Sequence, residues 1–120
     1  MNRHVTGALG ESAACAALEK ARCVILERNY RRPYGEIDII AREKQTIVFV
    51  EVKTRASLRY GRPAEAVNRA KQLKIMRTAL CYLAENGLED AAVRFDIIEV
   101  MPEGVRHIRA AFDASDISGF

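Results

Sequence analysis

From Thr46 to Thr54 the chain reads Thr-Ile-Val-Phe-Val-Glu-Val-Lys-Thr, and its pattern changes character partway along. In an extended segment Val48, Val50 and Val52 fall on one face, and Ile47, Phe49, Glu51 and Lys53 on the other. Both faces begin apolar, which describes a strand covered on both sides. One face then ends in a carboxylate and an ammonium side by side. The segment Glu36 to Ala41 repeats this: Ile37 and Ile39 share one face, Glu36 and Asp38 lie on the other, and Ile40 follows. The polar Arg42-Glu43-Lys44-Gln45 between the two segments predicts a hairpin.

Other elements follow from similar cues. A helix is expected from about Asn2 to Ala21, with Thr6 placed to cap it and Ala, Leu and Glu in its body. Cys23 to Leu26 suits a short strand, and the Asn, Pro and Gly of Asn29 to Gly35 read as a turn or loop. Leu58 to Pro63 is expected as a loop, with Pro63 in the first turn of a second helix that runs to about Glu85. Asn86-Gly87 stops that helix. Val93 to Val100 is a strand, Pro102-Glu103-Gly104 a turn, and Val105 to Ala110 a last strand. The order helix, three strands, helix, strands predicts an α/β three-layer sandwich, a mixed sheet between helices. Residues 1–112 are expected to form a single domain and 113–120 a flexible tail.

Composition narrows the class. A chain of 120 residues that is 49% hydrophobic can bury a core, roughly 65–70% of its unfolded surface. With 7% aromatic residues and no Trp, that core must be aliphatic and alanine-rich. Cys15, Cys23 and Cys81 are an odd count without C-x-x-C spacing, so they predict small buried hydrophobes and not zinc or a disulfide framework. No apolar run has the length of a signal peptide or a membrane span, which predicts a cytoplasmic protein without a membrane partner. The formal charge is only +3, but it is unevenly spread. Lys53 to Arg77 holds eight basic residues against one acid, a net of +7, which leaves −4 for the remainder. A basic stripe on an otherwise acidic chain fits a polyanion on one face, and it equally fits a solvated helix surface.

The acids within the apolar strands carry the candidate chemistry. Buried charges cost several kcal/mol each (order of magnitude) unless they are paired or bind a metal. If the hairpin pairs, Asp38 and Glu51 lie opposite or diagonal, within reach of one ion. Two carboxylates that close raise one another's pKa, and a hard divalent cation relieves this, most naturally Mg²⁺. Lys53, on the face of Glu51, can then position an attacking water and offset charge developing on a phosphate. The plainer alternative is a buried ion pair between Lys53 and one acid, which leaves the second acid unexplained. Glu11 lies in a helical stripe with Ala8, Ala14, Cys15 and Leu18, as a further ligand or as an edge residue that reaches solvent. Gln72 shares a face with Ile75, Met76, Ala79 and Leu83, where its amide can hold a phosphate or Lys53, or merely border the core. His4 and His107 are isolated along the chain and read as surface residues.

The run Gly35-Glu36-Ile37-Asp38-Ile39-Ile40-Ala41, followed by Val48-Phe49-Val50-Glu51-Val52-Lys53-Thr54-Arg55, resembles the YraN family of small bacterial proteins, within the PD-(D/E)xK restriction-endonuclease-like superfamily. Gly10-Glu11, Arg28-Asn29-Tyr30-Arg31, Lys71-Gln72 and Arg94-Phe95-Asp96 extend the likeness over about Gly7 to Val100. The resemblance implies a restriction-endonuclease-like fold. It also implies that Asp38 and Glu51 are metal ligands, Lys53 the catalytic lysine, and Glu11 the helix glutamate of sites similar to archaeal-type Holliday junction resolvases. One departure is visible: Gly35-Glu36-Ile37 stands where the motif has its proline.

The expectation is therefore a Mg²⁺-dependent nuclease, with Mn²⁺ an acceptable substitute, that hydrolyses DNA, branched or structured DNA included. Asp38, Glu51, Glu11 and the Val52 carbonyl would hold the metal, and Lys53 would stabilise the transition state. Arg31, Arg55, Arg59, Arg62, Lys71, Gln72 and Lys74 would grip nucleic acid, mainly its backbone, with weak sequence preference and steep salt dependence. A homodimer is compatible with this. Two alternatives belong to other classes: a nucleic-acid-binding module that keeps the fold and works with a partner without cutting, and a protein-interaction domain with a structural ion pair.

Overall fold

The computed structural model describes residues 3–55 and 67–113, with side chains from Leu9 onward. The element order is α1 (Arg3–Lys20), β1 (Val24–Arg32), β2 (Gly35–Glu43), β3 (Thr46–Thr54), α2 (Arg69–Glu85), β4 (Ala92–Met101) and β5 (Gly104–Phe112). The strands form one sheet in the order β1-β2-β3-β4-β5. Three of the pairings are antiparallel and β3 with β4 is parallel. A parallel pair needs a crossover, and α2 lies in that connection.

The helices cover opposite faces. Ile75, Met76, Ala79, Tyr82 and Leu83 of α2 pack on Ile40, Ile47, Phe49, Phe95 and Ile97. Ala14, Cys15 and Leu18 of α1 pack on Ile39, Ala41, Val48, Val50 and Ile98. This is the three-layer α/β sandwich with a mixed sheet, compatible with a restriction-endonuclease-like fold. Aromatic rings bind the α2 layer, with Tyr82 edge-on to both Tyr30 and Phe49. Cys15 and Cys23 are buried and Cys81 half-buried, all free thiols. Among the described residues no helix is long and apolar enough to cross a membrane.

Strand β3 has the bounds its sequence predicts, and the hairpin is tighter than expected, with a turn at Lys44-Gln45 and Lys44 at φ 55°. Four expectations need correction. Asn29 to Gly35 is not a loop: β1 continues to Arg32, and only Pro33-Tyr34 turns. Tyr30, buried against α2, and the Arg31–Glu36 ion pair at 3.2 Å hold that part of β1 on β2. Ile37 and Ile39 do not share a face. Ile37 joins Ile40 on the α2 side, whereas Ile39 faces α1. Asn29, between the pairs Arg28↔Ile39 and Tyr30↔Ile37, has φ 54°, which disturbs the ladder beside Asp38.

The second helix does not start at Pro63. Asn68 is its N-cap, with a side chain that accepts from the Lys71 N–H at 3.0 Å. Thr6 lies within α1, which already runs from Arg3, and not at its start. Pro63 and the Leu58–Pro63 loop, the Thr6 and His4 side chains, and the tail from residue 114 lie outside the described residues.

Gly35 opens β2 at φ +155°, and a Cβ there would stand 3.0 Å from Thr78 Oγ1 and 3.7 Å from Lys74 Cβ. Position and backbone both favour glycine. Gly35→Ala should cost about 1–2 kcal/mol, from strain at positive φ and from pushing the turn off α2. The midpoint of urea unfolding measures this, and an unchanged midpoint would show that the turn yields freely.

Candidate functional site

The site lies where β2 and β3 stop pairing regularly. Their register runs from Glu43↔Thr46 to Ile39↔Val50 and does not extend to Asp38 and Glu51. At that point Asp38 Oδ2 accepts the Val52 N–H at 2.7 Å, so a carboxylate takes up a backbone donor. Burial, and then the charge of Glu51 beside it, push the Asp38 carboxyl up to about 7, against the pull of the Val52 N–H. Glu51 is 5% exposed. The two acids the sequence singles out are therefore together, Glu51 buried and Asp38 half-buried.

Two amines approach this pair. Lys53 Nζ stands 3.6 Å from Glu51 Oε1, with its side chain 21% exposed. Lys71, from the first turn of α2, brings its Nζ to 3.8 Å from the same oxygen. Both distances lie beyond hydrogen-bond reach, so the amines lower the charge of the site without being fixed by it.

Glu11 reaches the edge of this region. A Cβ at Gly10 would stand 2.1 Å from Thr54 Oγ1, so α1 lies this close to the end of β3 with glycine there, and any other residue would have to displace the Thr54 side chain. Glu11 Oε2 accepts from Asn29 Nδ2 at 3.2 Å and pairs with Arg28 at 3.5 Å. Its charge contributes to the rise at Asp38. Among the described residues no three His, Cys, Asp or Glu side chains stand close enough to share an ion. Asp38 and Glu51 come together, and Glu11 stands off, bonded to Asn29 and Arg28.

The expected phosphate-binding residues divide. Lys74 and Arg55 are exposed, and Arg55 closes the end of β3 by donating its N–H to Val100 O at 3.0 Å. Arg31 is exposed and paired with Glu36. Gln72 donates Nε2 to Val67 O at 3.0 Å, which fixes the entry to α2. Arg59 and Arg62 lie outside the described residues.

A second polar cluster was given no role in the sequence reading, although Arg94-Phe95-Asp96 belongs to the family likeness. Asp96 is fully buried on the α1 face of β4. It accepts from Arg94 at 2.9 and 3.1 Å and from the Ala110 N–H at 2.9 Å, with His107 Nε2 at 2.7 Å. Burial opposes ionisation here, but the bonds from His107, Arg94 and Ala110 outweigh it and hold the carboxyl below its usual range. Arg94 and Arg109 both bind Glu43, and their hydrogen bonds hold that carboxyl down to about 2. His107 is thus not a surface residue: only 16% of its side chain is exposed. Its partner lies on a different strand, out of sight of linear spacing. Glu99 is a further fully buried acid, beside Lys53 in the parallel register and bonded to Arg106 at 3.3 Å. The only signal for Asp96 and Glu99 was acid in an otherwise apolar strand, the cue that marked Asp38 and Glu51.

Comparison with known proteins agrees over most of the chain. The model of "Uncharacterised protein family UPF0102" matches residues 10–100. A UPF0102 protein of Acetivibrio thermocellus is 52% identical over 103 residues, 85% of this chain and 79% of the relative. One from Moorella thermoacetica is 44% identical over 118 residues, 93% of this chain and 98% of the relative. Another, from Geobacter metallireducens, is 50% identical over 112 residues, 89% and 91% of the two chains.

Proposed function

The chain belongs to the UPF0102 (YraN) family, and from that premise and the geometry of the paired acids we propose that it is a metal-dependent nuclease acting on DNA. One observation carries this: Asp38, half-buried on β2, and Glu51, buried on β3, are brought together on adjacent strands, where the Glu51 charge opposes ionisation of Asp38 and a proton or a cation relieves it. The donor set is all oxygen, which suits Mg²⁺, with Mn²⁺ as substitute. Asp38 and Glu51 would hold the ion, with the Val52 carbonyl as a third ligand and Glu11 nearby, direct or through water. When bound, the metal supplies a nucleophilic water at neutral pH and polarises the phosphoryl oxygen.

The chain's own residues do the rest. The Val52 N–H fixes one oxygen of Asp38 and so orients its carboxylate. Lys53, loosely paired and partly exposed, is free to turn from Glu51 to a non-bridging oxygen of the phosphate and to stabilise charge that builds there. Lys71 and Lys74, with Arg55, hold flanking phosphates. Contacts of this kind position a strand without reading its bases. A cytoplasmic address goes with this substrate.

The test is incubation of purified protein with Mg²⁺ or Mn²⁺ and single-stranded, duplex, flap and four-way-junction DNA, beside Lys53→Ala and Asp38→Asn. Metal-dependent cutting lost in both variants is the expected result. Binding without cutting on every substrate would instead favour a non-catalytic nucleic-acid-binding module that works with a partner. Neither binding nor cutting would leave the ion pair as a structural feature only.

A further inference from the structure

Away from the paired acids, the turn between β1 and β2 carries Tyr34 with 60% of its surface exposed. It lines a cleft of about 300 Å³ with Arg77 and Leu80 of α2. Leu80 is 54% exposed, so an aromatic ring, an aliphatic side chain and a guanidinium share an open wall that the core does not use. Tyr30, three positions before the turn begins at Pro33, already supplies the ring that packs on Tyr82.

Charge tells what the cleft fits. Lys71, Lys74 and Arg77 follow one another along α2 at three-residue spacing. Among the described residues neither Lys74 nor Arg77 pairs with a carboxylate, whereas Lys71 reaches Glu51. The ridge therefore starts at the paired acids and ends at the Tyr34 cleft. Six residues of helix advance about 9 Å, which is two to three nucleotide steps at roughly 3.4 Å each. Gly35, next to Tyr34, packs on Lys74 and Thr78, so the turn is seated against the same ridge.

We propose that the Tyr34–Arg77–Leu80 cleft receives an unpaired nucleobase of the DNA substrate, two to three nucleotides from the phosphate held at Asp38 and Glu51. The base stacks on Tyr34 and against Leu80, and Lys74 and Arg77 hold its flanking phosphates. A base within a duplex is already stacked on its neighbours and cannot enter such a cleft without being unpaired. The cleft thus gives the enzyme a preference for gapped, branched or single-stranded DNA. This rests on the nuclease proposal for the path of the strand.

The experiment measures binding in EDTA, so that cleavage plays no part. The probes are a single strand and a gapped duplex, each with 2-aminopurine in the unpaired segment, and a fully paired duplex. The wild-type protein should bind the unpaired probes and quench the 2-aminopurine. Tyr34→Ala should weaken binding to both unpaired probes on the order of tenfold and abolish the quench. It should leave the paired duplex within twofold, and Tyr34→Phe should behave as wild type. Because Tyr34 is exposed, the thermal midpoint of both variants should match wild type. Equal loss on paired and unpaired DNA, or no loss on either, would overturn the cleft proposal and leave the nuclease intact. A Tyr34-dependent dimer in sedimentation would overturn it in favour of a second copy as occupant. No DNA binding by wild type would overturn both.

Discussion

Lys53→Ala should lower single-turnover cleavage by roughly 10²–10³-fold while leaving DNA affinity within a few-fold, the signature of a group that acts on the transition state. The Lys53 ammonium is close enough to Glu51 to be held in the site, at 3.6 Å, and not so firmly bonded that leaving costs much. It also has a short path to solvent, unlike Glu51. Lys53→Arg should recover little, because a planar guanidinium does not reproduce a compact ammonium. Lys71→Ala should mainly weaken binding, since its amine comes from the helix surface and is 41% exposed. A purely structural Lys53–Glu51 pair makes the opposite forecast: Lys53→Met would be tolerated or stabilising, and any cutting would persist. Lys53→Ala that cuts at the wild-type rate would remove Lys53 from the chemistry whatever its position.

The acids of this site were legible because they interrupt strands that are otherwise apolar. Asp38 and Glu51 occupy positions where a covered sheet would carry Val or Ile, and the hairpin between them is short enough to force their encounter. Asp96 and Glu99 break the same rule, yet their partners come from elsewhere in the fold. Asp96 needs β5 to supply His107 and Ala110, and Arg94 needs β2 to supply Glu43. No linear spacing encodes that convergence. Among the elements, β3 and β4 are central and mostly buried, so their composition declares them. β1 is an edge strand with one buried residue, Tyr30, in nine, and its end from Asn29 onward runs into the Pro and Gly that made Asn29 to Gly35 read as loop. The start of α2 was misplaced because Pro63 suits a first helical turn, whereas the side chain that caps the helix is that of Asn68, five residues later.

Asp38→Asn should raise the stability of the metal-free protein at pH 8 and remove its response to Mg²⁺. Burial and the neighbouring Glu51 hold the folded Asp38 carboxyl at about 7, above the unfolded value near 4. A group with a raised folded pKa favours the fold below the unfolded value and loses that contribution as pH climbs through the folded one. The wild-type protein without metal should therefore weaken between about pH 4 and pH 7, by on the order of 2–4 kcal/mol. Asp96 and Glu43 carry depressed values, so their own losses fall at the acid end and outside pH 5 to 8. An Asn at this position still offers a carbonyl to the Val52 N–H and brings no charge beside Glu51. Its thermal midpoint should stay flat across that range and exceed wild type by several degrees at pH 8. Mg²⁺ should then reverse the order: it neutralises the two carboxylates in the wild-type protein and stabilises the fold by mass action, and the variant lacks one of them. Calorimetry at pH 5 and pH 8, with and without Mg²⁺, reads all four corners. An Asn variant that is weaker than wild type by the same amount at both pH values, or that gains as much from Mg²⁺, would mean that Asp38 is a structural hydrogen-bond acceptor and not half of a metal site.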